Sequence, residues 1–286
     1  MTLVSQAGQA MMLDHPAARA AANHVLHLAA APGFVAPGPN DFDLRSVFYT
    51  NNVWLTKASL LLVLSFFIIV IAFRASIRKA DVVPGKFQYA GEAAYGFVRD
   101  GIARDMIGER DFKRYVPLLV AMFYFVLVNN LFGLVPFLQF PSFARAGFAY
   151  GLAGMVWIIY NGIGMARKGP LGYLKHQTVP GGVPPWILPL LIPLEFLSNI
   201  IIRPITLALR LFANMFAGHL LLLLFAGGAD YLLIHAQGPL VKPGGVLSFG
   251  MGFMVGFLEL LVEVLQAYVF TLLTASYISG AIADEH

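Results

Sequence analysis

The chain has 286 residues, of which 58% are hydrophobic and 12% charged, and its formal net charge is +4. Because the charged fraction is about half that of an ordinary soluble domain, polar side chains cannot cover a water-soluble fold, and a soluble enzyme with a Rossmann or TIM-barrel core is excluded in favour of an integral membrane protein. The absence of Cys excludes disulfide frameworks, thiolate zinc sites, iron–sulfur clusters and cysteine nucleophiles.

Residues 1–50 differ in composition from the rest of the chain and are predicted to form an N-terminal extracytoplasmic tail. They are rich in Ala and contain a Pro/Gly break at residues 36–39. Their apolar patch, residues 25–35, is too short to cross about 30 Å of hydrocarbon and has no basic segment ahead of it. We therefore do not predict a cleaved signal peptide.

Residues 51–286 are predicted to form one membrane domain of an all-α integral membrane protein with about five transmembrane helices. The apolar stretches place these spans near residues 54–73, 116–138, 146–166, 194–226 and 246–283. Between residues 74 and 114, charged and apolar residues alternate at helical spacing, which predicts an amphipathic helix on the membrane surface. This stretch holds 9 of the 19 Lys and Arg residues, which favours contact with the lipid bilayer over binding to nucleic acid.

Residues 186–228 form an apolar segment that is too long for one perpendicular span, since a straight helix of that length would measure about 65 Å. Pro189 and Pro193 are predicted to break its start and to leave residues 194–226 as one strongly tilted helix. The alternative is a hairpin that turns near Arg203 and Pro204, where the sequence has no Gly, Asn or Asp turn signal. The last span is also long and is expected to tilt.

The charges of the loops predict the orientation, because basic loops stay on the cytoplasmic side. Residues 74–114 and 167–175 hold 9 and 3 Lys or Arg residues, whereas residues 139–145 and 227–245 hold one each. With five spans, the N-terminus is expected outside and the C-terminus in the cytoplasm.

Charged residues within the two long apolar segments need either a partner or a water-filled path. At about 100° per residue, polar side chains gather within about 60° of Arg210 and, in the last span, within about 60° of Glu259. The first stripe comprises Glu195, Asn199, Arg203, Thr206, Arg210 and Asn214. The second stripe comprises Glu259, Glu263, Gln266, Thr274 and Tyr277.

The two stripes have two interpretations. They could pair Arg with Glu as structural links between tilted helices, or they could line a proton path. The path is favoured because the acids and bases are not matched in number, and because side chains able to hydrogen-bond water recur beside them. A continuous water wire would dissipate a proton gradient, so Arg210 is predicted to block the path. Its guanidinium stays protonated, repels a migrating proton and attracts a carboxylate from another chain.

His219 lies about 180° from Arg210 on the same helix and is predicted to face the last span and Glu259. Such a pair could relay protons near neutral pH, and the alternative is a hydrogen-bonded structural His. Asn129 and Asn130 in the second span are expected to serve helix packing. We predict no metal and no other cofactor, since no ligand cluster repeats at metal-binding spacing.

Several motifs together resemble subunit a of F-type ATP synthases. The principal one reads PLEFLSN at residues 193–199, continues with Arg203 and Pro204, and ends in LRLFANMFAGH at residues 209–219. Supporting matches are VPGKFQ at residues 83–88, NNLFGLVP at 129–136 and QAYVFTLLT at 266–274. The resemblance covers roughly residues 50–283.

The resemblance implies a stator subunit in the membrane part of a rotary motor, in a bacterial plasma membrane or an organelle inner membrane. Its implied partners are a rotating ring of c subunits, the peripheral-stalk b subunits and the rest of the ATP synthase. Arg210 matches the essential arginine of the family, which separates two proton half-channels and faces the ring carboxylate. Matches to the outer half-channel are Asn214, His219, Glu259 and Gln266. Glu195 and Arg203 match polar positions on the cytoplasmic side.

The chain departs from the family pattern at two places. Glu263 is less typical of the family, and an acid that many members have near Gly133 is missing, so no proton-path role is carried over to the second span. Asn199, Glu263 and Tyr277 join the predicted proton path because of their places in the stripes.

The sequence has no phosphate loop of the GxxxxGK[ST] kind, so the chain is expected to be non-catalytic and ATP to be made elsewhere in the complex. A stand-alone proton- or sodium-coupled transporter is the alternative, which the absence of an evident internal repeat disfavours. The choice between proton and sodium stays open, because the ring carboxylate lies on another chain.

Overall fold

The computed structural model describes residues 36–38, 57–77, 83–135, 142–179, 186–236, 238 and 241–283. The predicted N-terminal tail, with its apolar patch at residues 25–35, lies outside these ranges except for residues 36–38.

The regular elements of the described residues are all helical. Helix α1 spans Lys57–Ile77, and α2 spans Lys86–Val98. A π-helical segment, Arg99–Arg104, joins α2 to the short α3, Asp105–Ile107. The next helices are α4, Phe112–Leu131, α5, Ala146–Lys168, and α6, Pro170–Thr178, with a 3-10 turn, Ser142–Ala144, before α5.

The last part of the chain is built from two very long helices. The first consists of α7, Leu188–Phe196, a π-helical segment, Leu197–Ile202, α8, Arg203–Asp230, and a further π-helical segment, Tyr231–His235. The second is α9, Lys242–Ile282.

Within the described residues, five helices are long and apolar enough to cross a membrane: Lys57–Ile77, Phe112–Leu131, Ala146–Lys168, Leu188–His235 and Lys242–Ile282. This confirms the prediction of an all-α membrane protein with about five spans. The predicted amphipathic helix corresponds to α2 and the π-helical segment after it, and its place on the membrane surface stays a prediction. The last two spans contain 48 and 41 residues, about twice the number needed to cross a bilayer, so they must tilt or project from it.

The second span ends earlier than the apolar stretch predicts, at Leu131 rather than near residue 138. The backbone there tightens into turns, in which the Gly133 N–H donates to the Asn130 carbonyl at 2.9 Å and the Leu134 N–H to the Leu131 carbonyl at 3.1 Å. The residues after Leu131 are still apolar, so hydropathy alone does not predict that the helix ends there.

Residues 188–235 form one helix, so the alternative of a hairpin near Arg203 and Pro204 is wrong. The predicted break at Pro189 and Pro193 is also wrong, because the helix already begins at Leu188. Pro189 occupies the first turn, where its missing N–H costs no hydrogen bond. Pro193 lies inside α7, and interior prolines are more readily tolerated in transmembrane helices than in soluble ones.

Contacts divide the chain into two compact units, of which the larger comprises residues 39–220 and 255–286. Its core combines side chains from α4, α5, α8 and α9. The fully buried members include Leu119, Val126, Ala149, Tyr160, Leu207, Leu211, Phe270 and Ile278. The outside of α1 is apolar instead, with Phe66 57% and Ile71 64% exposed, as expected for a surface whose solvent is lipid.

The smaller unit comprises residues 1–38 and 221–254, and its described helices are the end of α8 and the start of α9. Here glycine permits close packing, since a Cβ atom on Gly245 would lie 2.8 Å from Leu233 Cγ. The Ser248 hydroxyl donates to the Phe225 carbonyl at 3.0 Å. The two helix ends therefore pack directly against each other.

Candidate functional site

The α8 helix presents Arg210 on its exposed side. Within the part of the chain that the structure describes, the guanidinium forms no hydrogen bond and no ion pair. The neighbouring side chains of Leu207, Ala208 and Leu211 are 2%, 0% and 0% exposed and face the core. Arg210 therefore stands outside the core of the larger unit and is available to a second chain.

A cluster of polar side chains lies between the C-terminal side of Arg210 on α8 and the facing part of α9, and we call it the acid cluster. It comprises Asn214, His219, Glu259, Glu263 and Gln266. The three α9 members are 4%, 0% and 2% exposed, respectively. Their spacing of four and three residues puts them on one helix face, which agrees with the predicted second stripe. The Asn214 amide donates to Gln266 Oε1 at 2.8 Å and joins the two helices.

The acid cluster contains buried polar atoms without a hydrogen-bond partner among the described residues. They are both carboxyl oxygens of Glu259, both of Glu263, and Gln266 Nε2. Buried polar atoms are nearly always paired with protein or water, and an unpaired charge within lipid is costly. These atoms can therefore take up a proton or bind water, which is the chemistry that proton relay needs.

His219 is buried, at 8% exposure, and the residue before it contacts Glu259. A Cβ atom on Gly218 would lie 2.9 Å from Glu259 Oε1, so any larger residue there would have to displace the carboxyl group. Because neither Glu259 oxygen has a partner among the described residues, the imidazole and the carboxyl group do not bond directly. The proposed relay through this pair stays a prediction.

The two asparagines of the second span make links between helices, consistent with their expected packing role. Asn129 donates to Ser65 Oγ at 2.7 Å, and Asn130 donates to the backbone carbonyl of Glu263 at 3.2 Å. The second of these bonds fixes α4 against the part of α9 that carries the acid cluster.

A second group of polar side chains lies on the N-terminal side of Arg210, and we call it the tyrosine cluster. It joins α5, α6, the α7–α8 helix and α9, and its members are Tyr160, Asn161, Tyr173, Gln177, Glu195, Asn199, Arg203 and Tyr277. Asn199 Nδ2 donates to Glu195 Oε2 at 2.9 Å and to the Gln177 carbonyl at 2.8 Å. Arg203 lies over the ring of Tyr277 at 5.4 Å, and that ring is 5.5 Å from the ring of Tyr160.

Helix α6 enters the tyrosine cluster through Tyr173. The hydroxyl of Tyr173 donates to Asn161 Oδ1 at 3.0 Å and accepts from Gln177 Nε2 at 3.0 Å. Burial raises the pKa of Tyr173 above its usual value near 10, so this phenol keeps its proton and acts as a donor at physiological pH.

The π-helical segment Leu197–Ile202 explains how the long helix passes Pro204. Proline has no N–H, so a carbonyl in the preceding turn loses its helical hydrogen-bond donor. In an α-helix this is the carbonyl of Ile200, four residues before Pro204, and in a π-helix it is that of Asn199, five residues before. Both carbonyls accept hydrogen bonds from aromatic side chains of α5 instead. Trp157 Nε1 donates to the Ile200 carbonyl at 2.9 Å, and the Tyr160 hydroxyl donates to the Asn199 carbonyl at 3.3 Å.

The same π-helical segment changes the phase of the first stripe. Asn199 is buried, whereas Thr206 and Arg210 are exposed and Glu195 is half-buried. The prediction of one continuous polar face is therefore wrong, because a π turn contains more than 3.6 residues and rotates everything that precedes it. Glu195 and Asn199 are hydrogen-bonded members of the tyrosine cluster, whereas Arg210 forms no hydrogen bond to a described member of it.

Trp157→Phe is expected to destabilise the protein, because the Ile200 carbonyl would lose its donor while the ring would still fill its place. The bond is partly buried, so leaving its acceptor unpaired is expected to cost about 1 kcal/mol, the lower end of the range for buried groups, and thermal unfolding of the purified complex measures the loss. Trp186→Phe is the matched control, since Trp186 is 80% exposed. An unfolding temperature equal to that of the control would contradict this account of the Pro204 passage.

Apolar side chains separate the two polar clusters. Along α8, the buried positions between Asn199 and Asn214 are Leu207, Ala208 and Leu211. On α9, Phe270 is fully buried, and the hydroxyls of Thr271 and Thr274 donate to carbonyls of their own helix. The buried side chains of this interval are therefore mainly apolar, and its two threonine hydroxyls donate within their own helix.

Sequence reasoning missed the α5 and α6 members of the tyrosine cluster, and also Trp157. The available signal is weak: Tyr173 and Gln177 are four residues apart and so share a helix face, but they lie in a segment whose most evident feature is its basic charge. Among the described residues, no three His, Asp or Glu side chains are placed to hold a metal ion.

Comparison with known proteins identifies the family. A family model described as ATP synthase A chain matches residues 57–279. A protein named ATP synthase subunit a from Nocardioides sp. is 51% identical over 272 residues, covering 92% of this chain and 98% of the relative. Relatives of the same name from Pseudarthrobacter chlorophenolicus and Streptomyces lividans are 48% and 41% identical, covering 88% and 91% of this chain and 95% and 92% of their own length. The chain belongs to the ATP synthase A chain family.

Proposed function

We propose, from membership of the ATP synthase A chain family, that this chain is the membrane stator subunit that carries protons to and from a carboxylate on a rotating c-ring. The family makes the chain a multi-pass bacterial membrane protein that works within a rotary ATP synthase. Two half-channels, separated by Arg210, are the finer part of the proposal.

The observation that carries the proposal is the arrangement of two polar clusters with an apolar interval between them. Leu207, Leu211 and Phe270, all buried, lie between the two clusters along α8 and α9. This supports a route in which the proton leaves the chain and returns, with Arg210 exposed on the surface where a partner carboxylate would receive it.

In this proposal, the acid cluster is the outer half-channel. Glu259 and His219 take up a proton from the outside, Glu263 extends the path along the same face of α9, and Gln266 with Asn214 guides the proton toward the ring. The unpartnered carboxyl oxygens support this role, because they can accept and release protons without first breaking an ion pair.

The tyrosine cluster is then the cytoplasmic half-channel. Glu195 and Asn199, which are hydrogen-bonded to each other, accept the proton released from the ring, with Arg203 and Tyr277 beside them. Each proton that crosses 100 mV releases about 2.3 kcal/mol, so several must pass for each ATP. The chain delivers this energy as torque and is not itself the catalytic subunit.

The orientation and partners complete the proposal. The basic loops put the N-terminus outside and the C-terminus in the cytoplasm. The c-ring packs against the Arg210 side of α8, and peripheral-stalk b subunits hold the chain against the torque.

Two measurements separate this function from that of a stand-alone proton- or sodium-coupled transporter. The chain should purify in mild detergent as part of a complex with ring and catalytic subunits. In vesicles holding that complex, an imposed pH gradient should drive ATP synthesis in sodium-free buffer, and a protonophore should abolish it. Purification of the chain alone with ion-coupled solute uptake would refute the stator function. Synthesis that requires a sodium gradient would refute only the choice of ion.

A further inference from the structure

Helix α6 holds the tyrosine cluster together although it carries none of the residues that the sequence assigns to the proton path. It lies between α5 and α7 in the chain and contacts both. Tyr173 and Gln177 are 3% and 8% exposed, and their partners Asn161 on α5 and Asn199 on the π-helical segment are 7% and 8% exposed. An exposed surface loop would not bury so many polar side chains.

The hydrogen bonds of these residues end at the carboxyl group of Glu195. Asn161 accepts from Tyr173, Tyr173 accepts from Gln177, and the backbone carbonyl of Gln177 accepts from Asn199. The same Asn199 nitrogen donates to Glu195 Oε2. Both N–H groups of Asn199 are therefore engaged, one on α6 and one on the acid.

We propose that α6 is a positioning clamp, in which Tyr173, Asn161 and Gln177 hold Asn199 and thereby fix the Glu195 carboxyl group for proton release on the cytoplasmic side. The inference rests on the proposed function, since it assumes that Glu195 belongs to the cytoplasmic half-channel. Tyr173 is a positioning residue here and takes no part in the proton transfer itself. A half-channel residue on a long helix needs such support, because small displacements of a proton-carrying group reduce its rate of transfer.

The local backbone supports the clamp. Gly169 adopts a φ of 75° between α5 and α6, a conformation that favours glycine, and Pro170 begins α6. Gly164, on α5, lies against the ring of Tyr173, and a Cβ atom added to Gly164 would collide with that ring. The ring therefore fits the space that the missing side chain leaves.

Two variants disturb the clamp in different ways. Tyr173→Phe keeps the ring but removes the hydroxyl, and Gly164→Ala keeps the hydroxyl but displaces the ring. The matched controls are Tyr150→Phe, because Tyr150 is 43% exposed on α5, and Gly162→Ala, because no atom lies within 4 Å of a Cβ atom there.

The measurement is the initial rate of ATP-driven proton pumping by the whole complex in inverted vesicles, normalised to the amount of assembled complex. Tyr173→Phe and Gly164→Ala are each expected to lower the rate about fivefold, the size expected when one buried hydrogen bond is lost. The two controls should pump like the parent. If either clamp variant keeps the parent rate, or if its loss merely follows the amount of assembled complex, the clamp is refuted.

A double-variant comparison separates positioning from a structural contact. In an Asn199→Ala or Asn199→Ser background, whichever pumps faster, Tyr173→Phe should lower the rate no further, because the link to Glu195 is already broken. If Tyr173 makes only a structural contact, Tyr173→Phe should lower the pumping rate by the same factor in the parent and in the Asn199 variant. A Glu195→Gln variant that pumps like the parent would instead refute the half-channel role of Glu195, and so the proposed function at that site, whatever the clamp variants show.

Discussion

Arg210→Ala is expected to abolish both ATP synthesis driven by a proton gradient and ATP-driven proton pumping. In the proposed function, the guanidinium is the fixed positive charge that stops a proton from passing directly between the half-channels and that attracts the deprotonated carboxylate of the ring. Without this positive charge, nothing in the proposal favours the deprotonation of the ring carboxyl group on the cytoplasmic side. The loss should exceed about 100-fold, corresponding to at least about 2.7 kcal/mol of coupling.

The complex should still assemble in this variant. Arg210 is exposed and forms no hydrogen bond or ion pair among the described residues, so its removal leaves no buried hydrogen-bonding group unpaired. A smaller neutral side chain is also cheaper within lipid than a charge. The measurement is synthesis and pumping in vesicles, with subunit content determined on the same membranes.

A matched control tests whether the loss follows from the position rather than from losing a charge. Arg74 is likewise an exposed arginine on a spanning helix, at the end of α1, and Arg74→Ala should leave pumping within about a factor of two of the parent. Parental coupling in Arg210→Ala would contradict the separating role assigned to this residue.

Replacing either His219 or Glu259 by Ala is expected to lower pumping by at least about tenfold. Both side chains are buried in the acid cluster, at 8% and 4% exposure, and each can carry a proton. The exchange His219→Glu with Glu259→His should harm pumping less than either single replacement. It keeps one imidazole and one carboxyl group in the same place, with Gly218 still leaving room beside position 259.

The control for this prediction is a histidine outside the acid cluster. His235 forms an exposed pair with Asp230 at 3.7 Å, and His235→Ala should pump like the parent. If the exchanged chain is as inactive as the worse single variant, His219 and Glu259 do not act as a pair.

Local properties of the sequence were enough to predict the architecture. In the described part of the chain, five helices are long and apolar enough to cross a membrane, because apolar runs of about 20 residues have few other stable structures in lipid. The buried face of α9 was also predictable, since Glu259, Glu263 and Gln266 follow a regular α-helix for which 3.6 residues per turn holds throughout.

The same rule failed in α7 and α8 for a physical reason. The π-helical segment Leu197–Ile202 breaks the 3.6-residue period. Residues that a rotation of about 100° per residue puts on one helix face therefore lie on two different faces. The segment itself depends on donors from another helix, Trp157 and Tyr160, which replace the hydrogen bond that Pro204 cannot make. No pattern within residues 194–226 contains that information.

By itself, the sequence determined how many times the chain can cross a membrane, which residues carry charge within those spans, and which family the chain resembles. All three follow from hydropathy, composition and motifs, which are properties of residues near one another in the chain. Only the tertiary structure decided that Asn199 turns toward α6 while Arg210 faces outward, and that Tyr173, Gln177 and Asn161 enter one hydrogen-bonded cluster with Asn199 and Glu195. Those choices depend on hydrogen bonds between helices that are distant in sequence, where a buried polar group takes the partner that packing brings to it.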